Sequence, residues 1–343
     1  MTTSYFASEK VRQRRLHVRG GALPSAGHAA ADELSIVAPS MGRSSRRQAA
    51  AGVAWAASEL ASSAHAAIGD DALKDLDNAG WVFDLAPSIQ LPWLQRIRAI
   101  RLADRLAENQ QLDPASHRFD NFVGGLHDGG KTLLRLAGQS ASHARSALDA
   151  QRLFETGPAA AAWTGYLAAL GAYNCHDLRL PTLADHRAML DGLSGSLFQL
   201  VPFLAPTHFE AIRGLGVLDQ FFNNLRDLAE DAAQGICYFP EDVLARFGLR
   251  REDLLGEGWR SAPGWPKLIR FWLEEYLPEL ERGAAGIDGC HDLHPSVALL
   301  RSECRARYGR ILSCFRAVGF DFRRFADEYW RTVRESARAN PRC

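Results

Sequence analysis

Residues 215–240 read LGVLDQFFNNLRDLAEDAAQGICYFP, and the rest of the chain is organised around them. At about 100° per residue, an α-helix places Gln220, Asn223, Asp227 and Asp231 in one narrow sector, with Asn224 at its edge and Arg226 and Glu230 on its flank. The remaining positions are Leu, Val, Ala and the pair Phe221-Phe222, so the segment is apolar nearly all round and is expected to be buried. A buried stripe of carboxylates needs a partner. The ordinary alternative is a solvated acidic face, but such faces usually alternate sign. Here Asp227 and Asp231 stand one turn apart with the same charge, and the stretch contains no Lys. Two carboxylates pointing the same way, with amides beside them, are a good start on a Mg²⁺ site, which fills its octahedron with water and substrate phosphates. A DxxxD pair alone is a weak signal; the whole face carries more.

Composition bounds what the chain can be. Its 343 residues allow about two domains or one large helical core. Forty basic residues balance forty acidic ones, which excludes a global field for nucleic acid. No apolar run is long enough to span a membrane, and the most apolar N-terminal segment, 49–69, contains Ser, Glu and His, which also argues against a signal peptide. The six cysteines form no CxxC pair and fit reduced thiols in a cytoplasmic protein of bacterial-like composition. Cys290, His291 and His294 form a sparse metal-like group without a second cluster, a pattern that is more often incidental.

Residues 1–48 mix Arg, Ser, Gly and Ala without periodicity and read as a flexible arm, leaving 49–343 as a single all-α domain. Helices are expected over 46–69, from Leu94 to Leu112, and over 131–153, 157–173, 261–282, 295–318 and 321–337; residues 81–92, with two prolines, read as a connection. Thr182 and Asp185 have the spacing of a capping box. The helix they open carries Gly192, Ser194, Gly195 and Ser196 in mid-run, which lets it bend or lets a neighbour approach closely.

The central residues resemble the squalene/phytoene synthase family. Its second acidic segment runs Q-x-x-N-x-x-R-D-x-x-x-D, followed by Gly, Tyr, Pro and Leu-Ala-Arg-Phe-Gly. This chain supplies Gln220, Asn223, Arg226, Asp227, Asp231, Gly235, Tyr238, Pro240 and then LARFGL from Leu244. Asp177-Leu178, Ser194-Gly195-Ser196 in the place of Ala-Gly-Thr, and PSVALLRSECRARYGRIL also fit in order, so the resemblance covers about residues 80 to 335. It implies an isoprenoid-synthase bundle with two acidic segments facing each other across a cavity, where Mg²⁺ bridges carboxylates to an allylic isoprenoid diphosphate. Asp227 and Asp231 are then metal ligands, Gln220 and Asn223 orient substrate or metal-bound water, and Arg226 and Tyr238 contact the diphosphate or developing charge.

The family also expects a first DxxxD preceded by Arg. The best match is Arg101, Asp104 and Glu108, expected as substrate- and metal-binding residues; a surface helix with interspersed charges is the alternative, and Asp71–Asp75 is a competing pair expected in a loop. Phe198 stands where the family has the second Gly of its flexible helix, beside Gly195, and Ile236 replaces a Gly-Arg pair. With Phe221, Phe222 and Asn224, these exchange room for a second diphosphate for aromatic lining. The preferred expectation is therefore prenyl transfer to an aromatic, indole- or carbazole-type acceptor in secondary metabolism, as in the squalene-synthase-like prenyltransferases of carbazole pathways. The alternatives are head-to-head synthesis of squalene, presqualene diphosphate or phytoene, and a non-catalytic relative acting in assembly. Chain length, acceptor identity and oligomeric state stay open.

Overall fold

A computed structural model describes residues 72–112, 114–127, 152–154, 156–175 and 177–339. The arm at 1–48, the helix expected over 46–69, Asp71, all but the end of the helix expected over 131–153, and Cys343 lie outside these residues. Among the described residues every regular element is helical.

α1 (Ala72–Ala79) runs into a 3₁₀ turn at Gly80–Asp84, and α2 covers Pro87–Leu112. Residues 81–92 are thus not a simple connection. Pro87 opens α2 where a missing N–H costs nothing, and Pro92 forfeits only one bond of a long helix. The compensation is tertiary: Trp93 packs edge-on against Trp81 at 4.9 Å, and Ala99, Leu102, Ala103 and Ala107 are buried. α3 (Arg118–His127) and α4 (Pro158–Tyr173) complete a side core with α2, centred on Phe119, Phe122, Trp163 and Tyr166.

α5 (Leu183–Leu190) starts at the expected capping box: the Thr182 hydroxyl accepts from the Asp185 amide, and the Asp185 carboxylate accepts from the Thr182 amide. It then widens into a π-helical turn, Asp191–Gly195, where the small residues lie. α6 (Phe209–Ala233) crosses this turn so closely that a Cβ on Gly216 would sit 2.1 Å from the Ser194 carbonyl oxygen. Glycine is what allows the two backbones to touch.

α6 is the central helix. It is contacted by the π turn of α5, by α10 (Leu277–Ala284), by α11 (Pro295–Ala317) and by α12 (Phe322–Ala339). Ile212, Leu215, Leu218, Phe221, Phe222 and Leu225 are at most 2% exposed, so its apolar faces are enclosed as expected. Gly235, at φ 79°, turns the chain out of the helix into Ile236–Pro240. α7 (Glu241–Arg246) and α8 (Arg251–Leu255) lead to α9 (Trp265–Phe271), which continues through a second π turn, Trp272–Tyr276, into α10. The expected helix over 261–282 therefore starts at Trp265.

Candidate active site

The polar face of α6 is pinned residue by residue. The Ser194 hydroxyl donates to Gln220 Oε1 at 2.6 Å, and Gln220 Nε2 donates to Asn224 Oδ1 at 2.8 Å. Asn223 Nδ2 donates to Asp219 Oδ2 at 3.1 Å. Asp219 is itself buried and accepts from Tyr308 Oη at 2.8 Å and from Arg307. These bonds leave Asn223 Oδ1 and Asn224 Nδ2 buried without a hydrogen-bond partner.

Arg226 takes a different place from the one expected. Its guanidinium is buried and forms a two-point pair with Asp227, both bonds at 2.9 Å, while Nη1 reaches Asn78 Oδ1 at 2.8 Å and Asp77 Oδ2 at 3.4 Å. Asp77 in turn accepts from Arg310 and Tyr329, and the Arg226 guanidinium lies over the Trp330 ring. Arg226 thus orients Asp227 from behind. Lys74 of α1 adds a second cation, 3.7 Å from Asp227 and 2.7 Å from Glu230.

The two acids of the motif consequently differ. Burial would raise the Asp227 pKa, but Arg226 and Lys74 hold it below the usual carboxylate range. Asp231 is pushed well above that range, first by burial and then by the Asp227 charge. Asn223, Asp227 and Asp231 recur every fourth residue and offer only oxygen, with one buried amide oxygen still lacking a partner. That donor chemistry fits a hard cation such as Mg²⁺. Among the described residues no three His, Cys, Asp or Glu side chains form a ready metal cluster, so water and substrate oxygens would have to complete the shell.

Asp104 and Glu108 lie on α2, where Arg101 donates to Asp104 at 2.6 Å and Arg105 to Glu108 at 2.7 Å. Arg101 also pairs with Asp75 at 3.1 Å; Asp75 sits on a helix, α1, and not in a loop. Burial pushes the Tyr238 hydroxyl pKa far up, and the charges of Asp231, Asp227, Glu108 and Asp104 push the same way. The buried Tyr166 of α4 is raised likewise, by burial, Asp104 and Glu108.

Beside this group lies a narrow apolar cavity lined by His186, Phe221, Asn224, Leu225, Leu228, Tyr238, Phe239 and Trp272, with room for about one water molecule. Phe221 stacks on Trp272 at 5.7 Å and Phe239 packs against the same ring at 4.9 Å. Phe222 points elsewhere, stacked on Tyr308 at 4.3 Å. Phe198 and Ile236 are buried, and Gly195 packs against Arg213 and Val217. Cys290 donates to the Gly286 carbonyl and His294 bonds Ser296.

The sequence reading missed Lys74, Asp77, Tyr166 and His186. For Asp77 the available signal was weak, a fourth acid in a short run; for the others the partners lie at least 58 positions away, beyond any local pattern.

The squalene/phytoene synthase family model matches residues 195–334. The chain is 32% identical over 89 residues to the 15-cis-phytoene synthase of Synechococcus elongatus, covering 24% of this chain and 27% of that one. It is 40% identical over 78 residues to phytoene synthase 1, chloroplastic, of Arabidopsis thaliana, covering 22% and 18%. With the phytoene synthase of Arthrospira platensis it shares 36% over 91 residues, 26% of each. The matched stretches thus span about a quarter of these relatives or less. A crystal structure of a dehydrosqualene synthase in complex with ligand superposes with a TM-score of 0.50 at 15% identity, over 86% of this chain and 99% of the other, and shows that the fold is the all-α isoprenoid-synthase bundle. Residues 195–334 thus match the squalene/phytoene synthase family, and the fold that frames them is similar to that of a dehydrosqualene synthase.

Proposed function

We propose that the protein is a Mg²⁺-dependent prenyltransferase that ionises an allylic isoprenoid diphosphate and passes the prenyl group to a second molecule. The observation that carries this reading is the face of α6 on which Asn223, Asp227 and Asp231 follow at four-residue intervals, with the buried Asn223 Oδ1 lacking a partner. Asn223, Asp227 and Asp231 would hold the metal on one side, and Asp104 and Glu108 on the other. When bound, the metal supplies positive charge to the departing pyrophosphate. Arg226 keeps Asp227 ionised and aimed, and Tyr238 donates a hydrogen bond toward the leaving group, since its raised pKa keeps it protonated. The rings of Phe221, Phe239 and Trp272 exclude water and face the cation.

The rings of Phe221, Phe239 and Trp272 along the cavity wall support an aromatic acceptor as the second molecule. Head-to-head condensation is the second reading, supported by the phytoene synthases among the relatives. Incubation with geranyl, farnesyl or geranylgeranyl diphosphate, with and without an indole or carbazole acceptor, separates them by product mass. A product made of two prenyl units from one diphosphate alone refutes the aromatic acceptor. Asp231→Asn is expected to abolish pyrophosphate release with an unchanged or raised melting temperature, because burial and the neighbouring Asp227 disfavour the ionised form of the carboxyl it replaces. Full activity in that variant refutes the metal site.

A further inference from the structure

Asp219 is the buried acid of α6 that the ionisation step leaves unused. It is 5% exposed, one turn before Asn223, and its two oxygens have separate partners. Oδ1 accepts from Tyr308 Oη at 2.8 Å and from the Arg307 guanidinium, both buried and both on α11. Arg307 is tied in turn to the Asp77 and Asn78 carbonyls at 3.3 and 3.4 Å, and the Tyr308 ring is stacked on Phe222. Oδ2 accepts from Asn223 Nδ2 at 3.1 Å.

A carboxylate held by a guanidinium only accepts, so it decides which end of the Asn223 amide faces it. The amide turns its N–H end to Asp219, and its oxygen takes the other edge. Asn223 stands between Asp219 and Asp227 in a series of four-residue steps that ends at Asp231, and its Oδ1 is buried with no partner. An open buried acceptor is costly, and a cation held by the neighbouring carboxylates would satisfy it. A reversed amide would offer N–H donors in that place, which a cation repels.

Resting on the metal-dependent reading, we propose that Asp219 is a positioning residue: braced by Arg307 and Tyr308, it takes the Asn223 N–H and so obliges Asn223 to offer oxygen as a cation ligand. Asp219 itself touches neither cation nor substrate. Groups that orient a metal ligand from behind change metal affinity about ten- to a hundredfold when they are lost.

The test is calorimetric titration of Mg²⁺–pyrophosphate into the full chain, with the melting temperature of the metal-free protein read beside it. In Asp219→Asn the new side chain keeps an oxygen toward Arg307 and Tyr308 and places N–H where Oδ2 stood, so the Asn223 amide reverses; the Kd is expected to rise at least about tenfold. Adding Asn223→Asp restores oxygen on both edges at unchanged net charge and is expected to return the Kd to within about threefold of wild type. Should Asp219→Asn fail to fold with Arg307 unpaired, Asp219→Leu combined with Arg307→Met exchanges the pair for apolar groups and is expected to raise the Kd at least about threefold. A wild-type Kd in Asp219→Asn, or in the apolar pair, overturns the proposal alone. So does a loss that Asn223→Asp leaves unrepaired, which would make Asp219 only the counter-charge of Arg307. Absence of Mg²⁺–pyrophosphate binding by the wild-type protein overturns the metal-dependent reading and this proposal with it.

Discussion

Replacing His186 by Phe should remove a specific part of the protein's acid sensitivity. In the unfolded chain the imidazole titrates at its ordinary value of 6.5, whereas burial among Trp272, Tyr276 and Phe221 holds it at about 3 in the fold. Between these values the unfolded state binds a proton that the folded state refuses, so stability falls as the solution is acidified. Above 6.5 neither state is charged and the contribution to stability is fully present; it is lost progressively on the way down to 3. At about pH 5 the difference has run over roughly 1.5 pH units, or about 2 kcal/mol at 1.36 kcal/mol per unit. Phenylalanine keeps a ring in the site and carries no proton. Urea denaturation of wild type and His186→Phe at about pH 7.5 and about pH 5 gives four stabilities, and the acid-induced losses of the two proteins should differ by about 2 kcal/mol, the variant losing less. Asp231 and every other titrating group cancel in this double difference. Equal losses, within about 0.5 kcal/mol, would mean that the imidazole is solvated or charged in the fold, and its burial would be refuted.

Other consequences follow from the ion network behind the acidic face. Asp77→Ala takes from Tyr329 its acceptor and from Arg226 one of three, and should cost about 1–3 kcal/mol in urea denaturation; an unchanged stability would show that Asp77 does not anchor this network. Gly216→Ala drives a methyl into the Ser194 carbonyl and should cost about 1–3 kcal/mol, shifting the Ser194–Gln220 contact; an unchanged melting temperature refutes the close approach. Lys74→Gln withdraws an ammonium that competes for Asp227, and the Mg²⁺ concentration for half-maximal pyrophosphate release should fall roughly two- to fivefold. A higher requirement would instead place Lys74 among the groups that hold the diphosphate.

Much of α6 was legible in its residues because helical periodicity is local. The sector holding Gln220, Asn223, Asp227 and Asp231, the apolar faces on either side and the Gly235 exit all follow from spacing. The Thr182–Asp185 cap and the irregular turn at the small residues of α5 were equally local. The start of α2 was not: Pro87 and Pro92 argue locally for a break, and burial of Trp93 against Trp81 overrides them.

The sequence by itself determined which helix carries a face of carboxylates and amides and which family that pattern resembles. Only the tertiary structure decided how each of those side chains is held. The resemblance assigns Arg226 to the diphosphate or developing charge, and in the fold it braces Asp227, with Asp77, 149 positions earlier, folded behind it. Phe222 reads as lining and packs on Tyr308, while His186, which no pattern singled out, faces the cavity. The physical reason is one of range. A helix places side chains by rotation per residue, whereas the charge state of an acid or an imidazole depends on whatever distant segment removes its water or supplies its counter-charge.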